Sequence, residues 1–166
     1  MSVLLVGAGR MGSALLKGWL AKGVKSITVV EPKPSAQLRA LAEAKGVASR
    51  VDFLGFVSDD DLLTLLATTR AAVYTPVNED YGYVTLEAFL SGKTLITTND
   101  TGGVLEFATA ESGFIAEPVA ESLGAAMSRA WNTKATRLRE MAEVGHKRVA
   151  PIQWDAVIDT LTESIR

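Results

Sequence analysis

The chain opens on SVLLVGAGRMG, residues 2–12, and this stretch restricts the available folds more than any other. Val3-Leu4-Leu5-Val6 is a short, uninterrupted, branched apolar run of the kind required by a strand buried on both faces. Gly7, Gly9 and Gly12 follow at once, and then apolar residues at helical spacing. The pattern predicts a strand, a tight turn and a helix. The first glycine permits the turn, the second lets backbone approach a pyrophosphate, and the third lets the helix sit close on the strand. Amides at the start of that helix would face an anion. A glycine turn that serves packing alone has the same text, so the fold is legible here and the ligand stays open.

Met11, Leu15, Leu16, Trp19 and Leu20 continue the helical spacing to a stop at Gly23. Ile27-Thr28-Val29-Val30 reads as strand two and ends in Glu31, 19 residues beyond Gly12, close to where an acid meets an adenosine ribose. A solvated acid at a strand end fits Glu31 equally well. Pro32-Lys33-Pro34 is a stiff turn, and Ser35 can cap a helix through Leu38, Leu41 and Ala42 to Gly46. Strand three is expected at Val51-Asp52-Phe53-Leu54. Ser58-Asp59-Asp60-Asp61 then reads as a capping box for a helix carrying Leu62, Leu63, Leu65 and Leu66. Acids in a first turn suit the helix dipole, so these aspartates are assigned to capping and not to a metal.

Strand four runs from Ala71 to Thr75, a polar loop follows Pro76, and a helix extends from about Tyr83 to Leu90 and stops at Gly92. Leu95-Ile96-Thr97-Thr98 is strand five, Asn99-Asp100-Thr101-Gly102-Gly103 its exit loop, and residues 113–116 a short strand six. Beyond Pro118 the chain reads as helical. Leu123, Met127 and Trp131 form one apolar face, and Trp154, Ile158, Leu161 and Ile165 form another, both expected in the core. His146 has no evident partner for nucleophilic chemistry and reads as a surface residue.

Strands alternating with helices imply a single Rossmann-like three-layer αβα domain. Its parallel sheet has about six strands in the order 3-2-1-4-5-6. Strand order reverses between strands one and four, so the 7–12 turn, the 75–82 loop and the 99–103 loop converge on one crevice, the default ligand site. The 166 residues, 48% of them hydrophobic, suit one compact domain. A net charge of −2 without a basic block excludes nucleic acid on electrostatic grounds. With no cysteine and one histidine, thiolate chemistry and a Cys/His metal site are excluded too. No leader or long apolar run is present, so a cytoplasmic monomer with no membrane partner is expected.

Two family resemblances run through this text. LLVGAGRMGSALLKGWLAKG followed by ITVVEPKPS, within residues 1–35, resembles the start of pyrroline-5-carboxylate reductase, an NAD(P)-dependent enzyme. That resemblance implies cofactor binding by Gly7, Gly9, Arg10, Met11, Gly12 and Glu31. Residues 37–166 look different. QLRALAEAKGVASRVDFLGFVSDDDLLTLL and NEDYGYVTLEAFLSGKTLITTNDTGGVLEF resemble the carboxyl-terminal, donor-binding domain of retaining GT-B glycosyltransferases of family 4, or group 1. Its centre is Glu79 and Glu87, separated by seven residues. The resemblance implies that Glu79 approaches the donor sugar, that Glu87 meets the nucleotide ribose, and that Gly82, Tyr83 and Val84 present helix-start amides to the diphosphate. Two acids on a helix surface would have the same spacing.

The glycosyltransferase pattern usually has an arginine and a lysine after its first strand, where this chain has the glycine turn. Neither parental site is complete. The change of text in mid-sheet therefore implies an engineered or recombined chimera, not an enzyme, with no catalytic residue, no metal and no required cofactor. Such a seam would leave ill-matched packing around Trp19, Leu20, Val30 and Leu38. Two other readings stand beside it. One is a module that binds NAD(P) or a nucleotide sugar weakly, and the other is residual glycosyltransferase or oxidoreductase activity.

Overall fold

The computed structural model describes residues 3–6, 27–31, 36–44, 46 and 48–163. The parallel sheet consists of β1 (Val3–Val6), β2 (Ile27–Val30), β3 (Val51–Phe53), β4 (Ala71–Val73), β5 (Leu95–Thr98) and β6 (Gly113–Ala116). Their order is β3-β2-β1-β4-β5-β6, as the alternating pattern predicts. The helices are α1 (Ala36–Ala44), α2 (Asp59–Thr68), α3 (Tyr83–Leu90), α4 (Val104–Phe107), α5 (Ala120–Asn132), α6 (Ala135–Val149) and α7 (Trp154–Glu163).

Alternate residues of these strands feed two apolar layers, because successive side chains leave a strand on opposite faces. Val3, Ile27, Val29, Val73 and Ile96 pack against Leu123, Ala126, Met127 and Ala130 of α5. On the opposite face, Leu4, Val30, Ala72 and Leu95 join Leu66 of α2, Leu86 and Phe89 of α3, and Val149 of α6. Gly145 of α6 lies directly against the Phe89 ring, and the absent side chain is what lets the two helices close. Both layers combine early and late strands in one core.

β2 keeps full register with β1, from Val3 opposite Ile27 to Val6 opposite Val30, and pairs with β3 from Ile27 opposite Val51. Val30 is 7% exposed and belongs to the core. Trp19, Leu20 and the Leu38 side chain lie outside the described residues.

Several local expectations change. β3 and β4 stop one and two residues earlier than the apolar runs suggest, and α4 forms directly after the 99–103 loop, where no helix was anticipated. The larger correction concerns α7. At Ile158 its apolar stripe is not core, since that side chain is 52% exposed, and the neighbouring Val157 lines an open groove of about 390 Å³ with Tyr81, Tyr83, Leu86, Ile152 and Gln153. Amphipathic spacing reports a helix and cannot report whether anything covers its apolar face. Trp154, Leu161 and Ile165 of the same stripe have side chains outside the described residues. Among the described residues no helix is long and apolar enough to cross a membrane.

Candidate functional site

The site is built where β4 and β5 end. β4 delivers Tyr74, Thr75 and Pro76 to the carboxyl edge of the sheet, next to β1, where the strand order reverses. Ligands of open α/β sheets collect at that point because neighbouring crossovers leave it on opposite faces.

Two loops are stitched together there. Asn78 N–H donates to Asp100 O at 3.0 Å, Glu79 N–H to Thr101 O at 3.0 Å, and Gly103 N–H to Glu79 O at 2.8 Å. Glu79 and Gly102 form an isolated parallel bridge, in effect a short extension of the sheet beyond its strands. The approach depends on glycine. Gly102 has φ +71°, and a Cβ there would sit 2.6 Å from Glu79 O; one on Gly103 would collide with Asp80 O. Asn78 takes the left-handed region at φ 51°, which asparagine tolerates better than most residues.

The half-buried Glu79 side chain is held as well. Tyr74 Oη donates to Glu79 Oε2 at 3.1 Å. Tyr74 is pushed up to about 12, first by burial, then by this hydrogen bond and by the negative charges of Glu79 and Glu87. Both glutamates therefore act on one hydroxyl.

α3 starts at this seam. Gly82, at φ +78°, is its N-cap and makes no side-chain cap bond. A Cβ on Gly82 would lie 2.6 Å from Val104 Cγ2, so only glycine lets the helix begin here. Tyr83 is 68% exposed, with its ring 5.1 Å from Tyr81, and Val84 is half-buried. The amides at such a start have no partner within the helix and can face an anion. Glu87, one helical turn on, is exposed, yet partial burial of its carboxyl and then the Asp59 charge push it above the ordinary glutamate range. Asp59 thus serves beyond its own helix start. Ser58 Oγ accepts from Asp61 N–H at 3.2 Å, the capping bond the sequence predicts for α2.

Glu31 follows β2, half-buried, at the same edge of the sheet. Gly7, Gly9, Arg10, Met11 and Gly12 lie outside the described residues. Sequence reasoning assigned Tyr74 to strand four and the 102–103 glycines to a loop, and missed that all three shape Glu79. The adjacent glycines were the available signal. Three buried side-chain oxygens on these elements, Thr85 Oγ1, Thr98 Oγ1 and Asp100 Oδ1, have no hydrogen-bond partner. Among the described residues no group of three or more His, Cys, Asp or Glu is arranged to hold a metal.

Residues 18–148 match the family model described as "Glycosyl transferases group 1". The chain is 28% identical over 130 residues to an alpha-1,3/1,6-mannosyltransferase of Mus musculus, covering 78% of this chain and 31% of that protein. It is 30% identical over 134 residues to a GDP-mannose-dependent alpha-(1-6)-phosphatidylinositol dimannoside mannosyltransferase of Mycobacterium tuberculosis, covering 78% and 35%. It thus spans about a third of the length of these curated relatives. HepE of Anabaena, solved in complex with UDP-glucose, superposes with a TM-score of 0.82 at 18% identity, over 98% of this chain and 48% of HepE.

These matches overturn the chimera. The family model begins at residue 18, inside the segment that resembles a reductase, and runs through the supposed seam to residue 148. A glycine turn after a first buried strand is a device many α/β folds share, so it does not mark descent from a reductase. The expectation of a protein with no evolved activity, not an enzyme, falls with it, because the matched family is one of glycosyl transferases. The chain belongs to the group 1 glycosyl transferase family.

Proposed function

We propose that this chain is the donor-binding part of a glycosyltransferase and that it takes a nucleoside diphosphate sugar at the carboxyl edge of the sheet, beside the joined 75–82 and 99–103 loops. The observation that carries this reading is the uncapped start of α3 at Gly82, set beside a Glu79 whose backbone is held by the 99–103 loop and whose carboxylate is held by Tyr74. Each part suits one portion of such a ligand. Glu79, held by Tyr74, accepts hydrogen bonds from sugar hydroxyls. The amides of Tyr83 and Val84 face the diphosphate at the positive end of α3. Glu87 meets the ribose hydroxyls, and their donation offsets the repulsion it feels from Asp59. Group transfer itself is assigned to the whole protein.

The sugar nucleotide class has two supports. The relatives named above are mannosyltransferases, one of them GDP-mannose-dependent, and the neighbouring fold carries UDP-glucose. GDP-mannose is accordingly the first probe and UDP-glucose the second. A ligand that binds only the folded chain raises its melting temperature, and at one hundred times its Kd it stabilises by about 2.7 kcal/mol. The purified chain is expected to melt higher with one of these sugar nucleotides and unchanged with NADPH. A flat response to both sugar nucleotides at millimolar concentration sinks the reading.

A further inference from the structure

Tyr74 carries the hydroxyl that meets Glu79, and the charges of both glutamates act on it. Its backbone is pinned from both sides, by Tyr74 N–H to Ile96 O at 3.1 Å and by Thr97 Oγ1 to Tyr74 O at 2.8 Å. The ring is half-buried among the apolar residues beneath α3, and its Cε1 lies where a Cβ on Gly82 would be 3.4 Å away. One side chain therefore touches the start of α3 and, through its hydroxyl, Glu79.

We infer that Tyr74 is a positioning residue of the donor site, whose hydroxyl holds Glu79 by Oε2 and leaves Oε1 to accept hydrogen bonds from a hydroxyl-bearing pyranose. The inference rests on the donor-site reading above and deepens it. A free glutamate has three rotatable bonds, and fixing them at the moment of binding costs affinity. Tyr74 removes that cost in advance. Because the phenol is pushed up to about 12, it stays protonated through the physiological range and always donates. The hydroxyl acts on the sugar only through Glu79, while the diphosphate meets backbone amides that do not depend on it.

That division makes the inference separable. Wild type, Tyr74→Phe, Glu79→Ala and the double variant are each titrated by calorimetry with GDP and with GDP-mannose, and with UDP and UDP-glucose if the first pair is silent. Tyr74→Phe keeps the ring and its packing. It is expected to bind the nucleoside diphosphate within about twofold of wild type and the sugar nucleotide about tenfold more weakly, the scale of one hydrogen bond to a charged group. In the Glu79→Ala background the same change is expected to cost nothing further, the mark of one residue acting through another. Equal weakening of both ligands, no weakening, or a full tenfold loss without Glu79 overturns the role of Tyr74 and leaves the donor site standing. A wild-type chain that binds none of the four ligands overturns both.

Discussion

α3 has two faces that depend on glycine for different reasons. On its buried face, Phe89 packs against Gly145 of α6, and the room that glycine leaves is filled by a side chain. At its exposed start, Gly82, Gly102 and Gly103 let Val104 and the carbonyls of Glu79 and Asp80 come close, and two of these three contacts are to backbone. The first region teaches that a missing Cβ can serve stability. The second teaches that it can serve placement, because a backbone carbonyl cannot rotate away as a side chain can. Loss of glycine should therefore register chiefly as lost stability beneath α3 and as lost ligand affinity at its start.

The largest effect is expected from Phe89→Ala, which empties the space Gly145 leaves and should cost about 3–5 kcal/mol in denaturant unfolding. A loss under one kcal/mol would mean that α3 and α6 collapse to fill the gap, and the buried face would not be distinct. Gly145→Ala comes next. Alanine favours the helix by about 1 kcal/mol, but its Cβ meets the Phe89 ring, and overpacking of this kind costs about 1–3 kcal/mol. The net change should be destabilising, with sugar-nucleotide affinity of the folded chain unchanged.

Gly102→Ala tests the other side. A left-handed alanine costs about 1–2 kcal/mol, and its Cβ would sit 2.6 Å from Glu79 O, so the seam between the loops must shift. A modest fall in melting temperature with a disproportionate loss of sugar-nucleotide binding is expected. Equal falls would erase the contrast between the two regions.

The smallest effect is the most specific. Glu87 is held above its ordinary value of 4.5, first by desolvation and then by Asp59, so the folded chain takes up this proton more readily than the unfolded one. The stability linked to it is whole below 4.5 and lost as pH rises through the raised folded value. Glu87→Gln should therefore raise the melting temperature slightly at about pH 7 and leave it unchanged at about pH 4. A gain that is the same at both pH values would mean that Glu87 is not electrostatically strained.

Much of the fold was legible because its signals are local. Val3–Val6, Ile27–Val30 and Leu95–Thr98 are apolar runs of strand length, α3 keeps its expected bounds between Gly82 and Gly92, and the alternation of elements leaves few ways to order the sheet. The seven-residue spacing of Glu79 and Glu87 was legible, and the charges of both act on Tyr74. The Tyr74 hydroxyl on Glu79 was not, since a hydrogen bond across a turn leaves no period in the text. The α7 stripe misled for a related reason: amphipathic spacing looks the same over a core and over an open groove. The first thirty-five residues misled by resemblance, because a glycine turn states a backbone need and not an ancestry.

What the amino-acid sequence alone determined is the six strands, the helices other than α4, and the edge of the sheet at which their loops emerge, since strand and helix periods and right-handed crossovers follow from each residue's own stereochemistry and its near neighbours. What only the tertiary structure decided is how residues far apart in the chain meet. The bridge of Glu79 to Gly102, the ring of Phe89 on Gly145 and the charge of Asp59 on Glu87 all join segments whose separation no local pattern records. They exist because close packing of a shared core brings those backbones within contact distance, and at that distance single atoms decide the outcome.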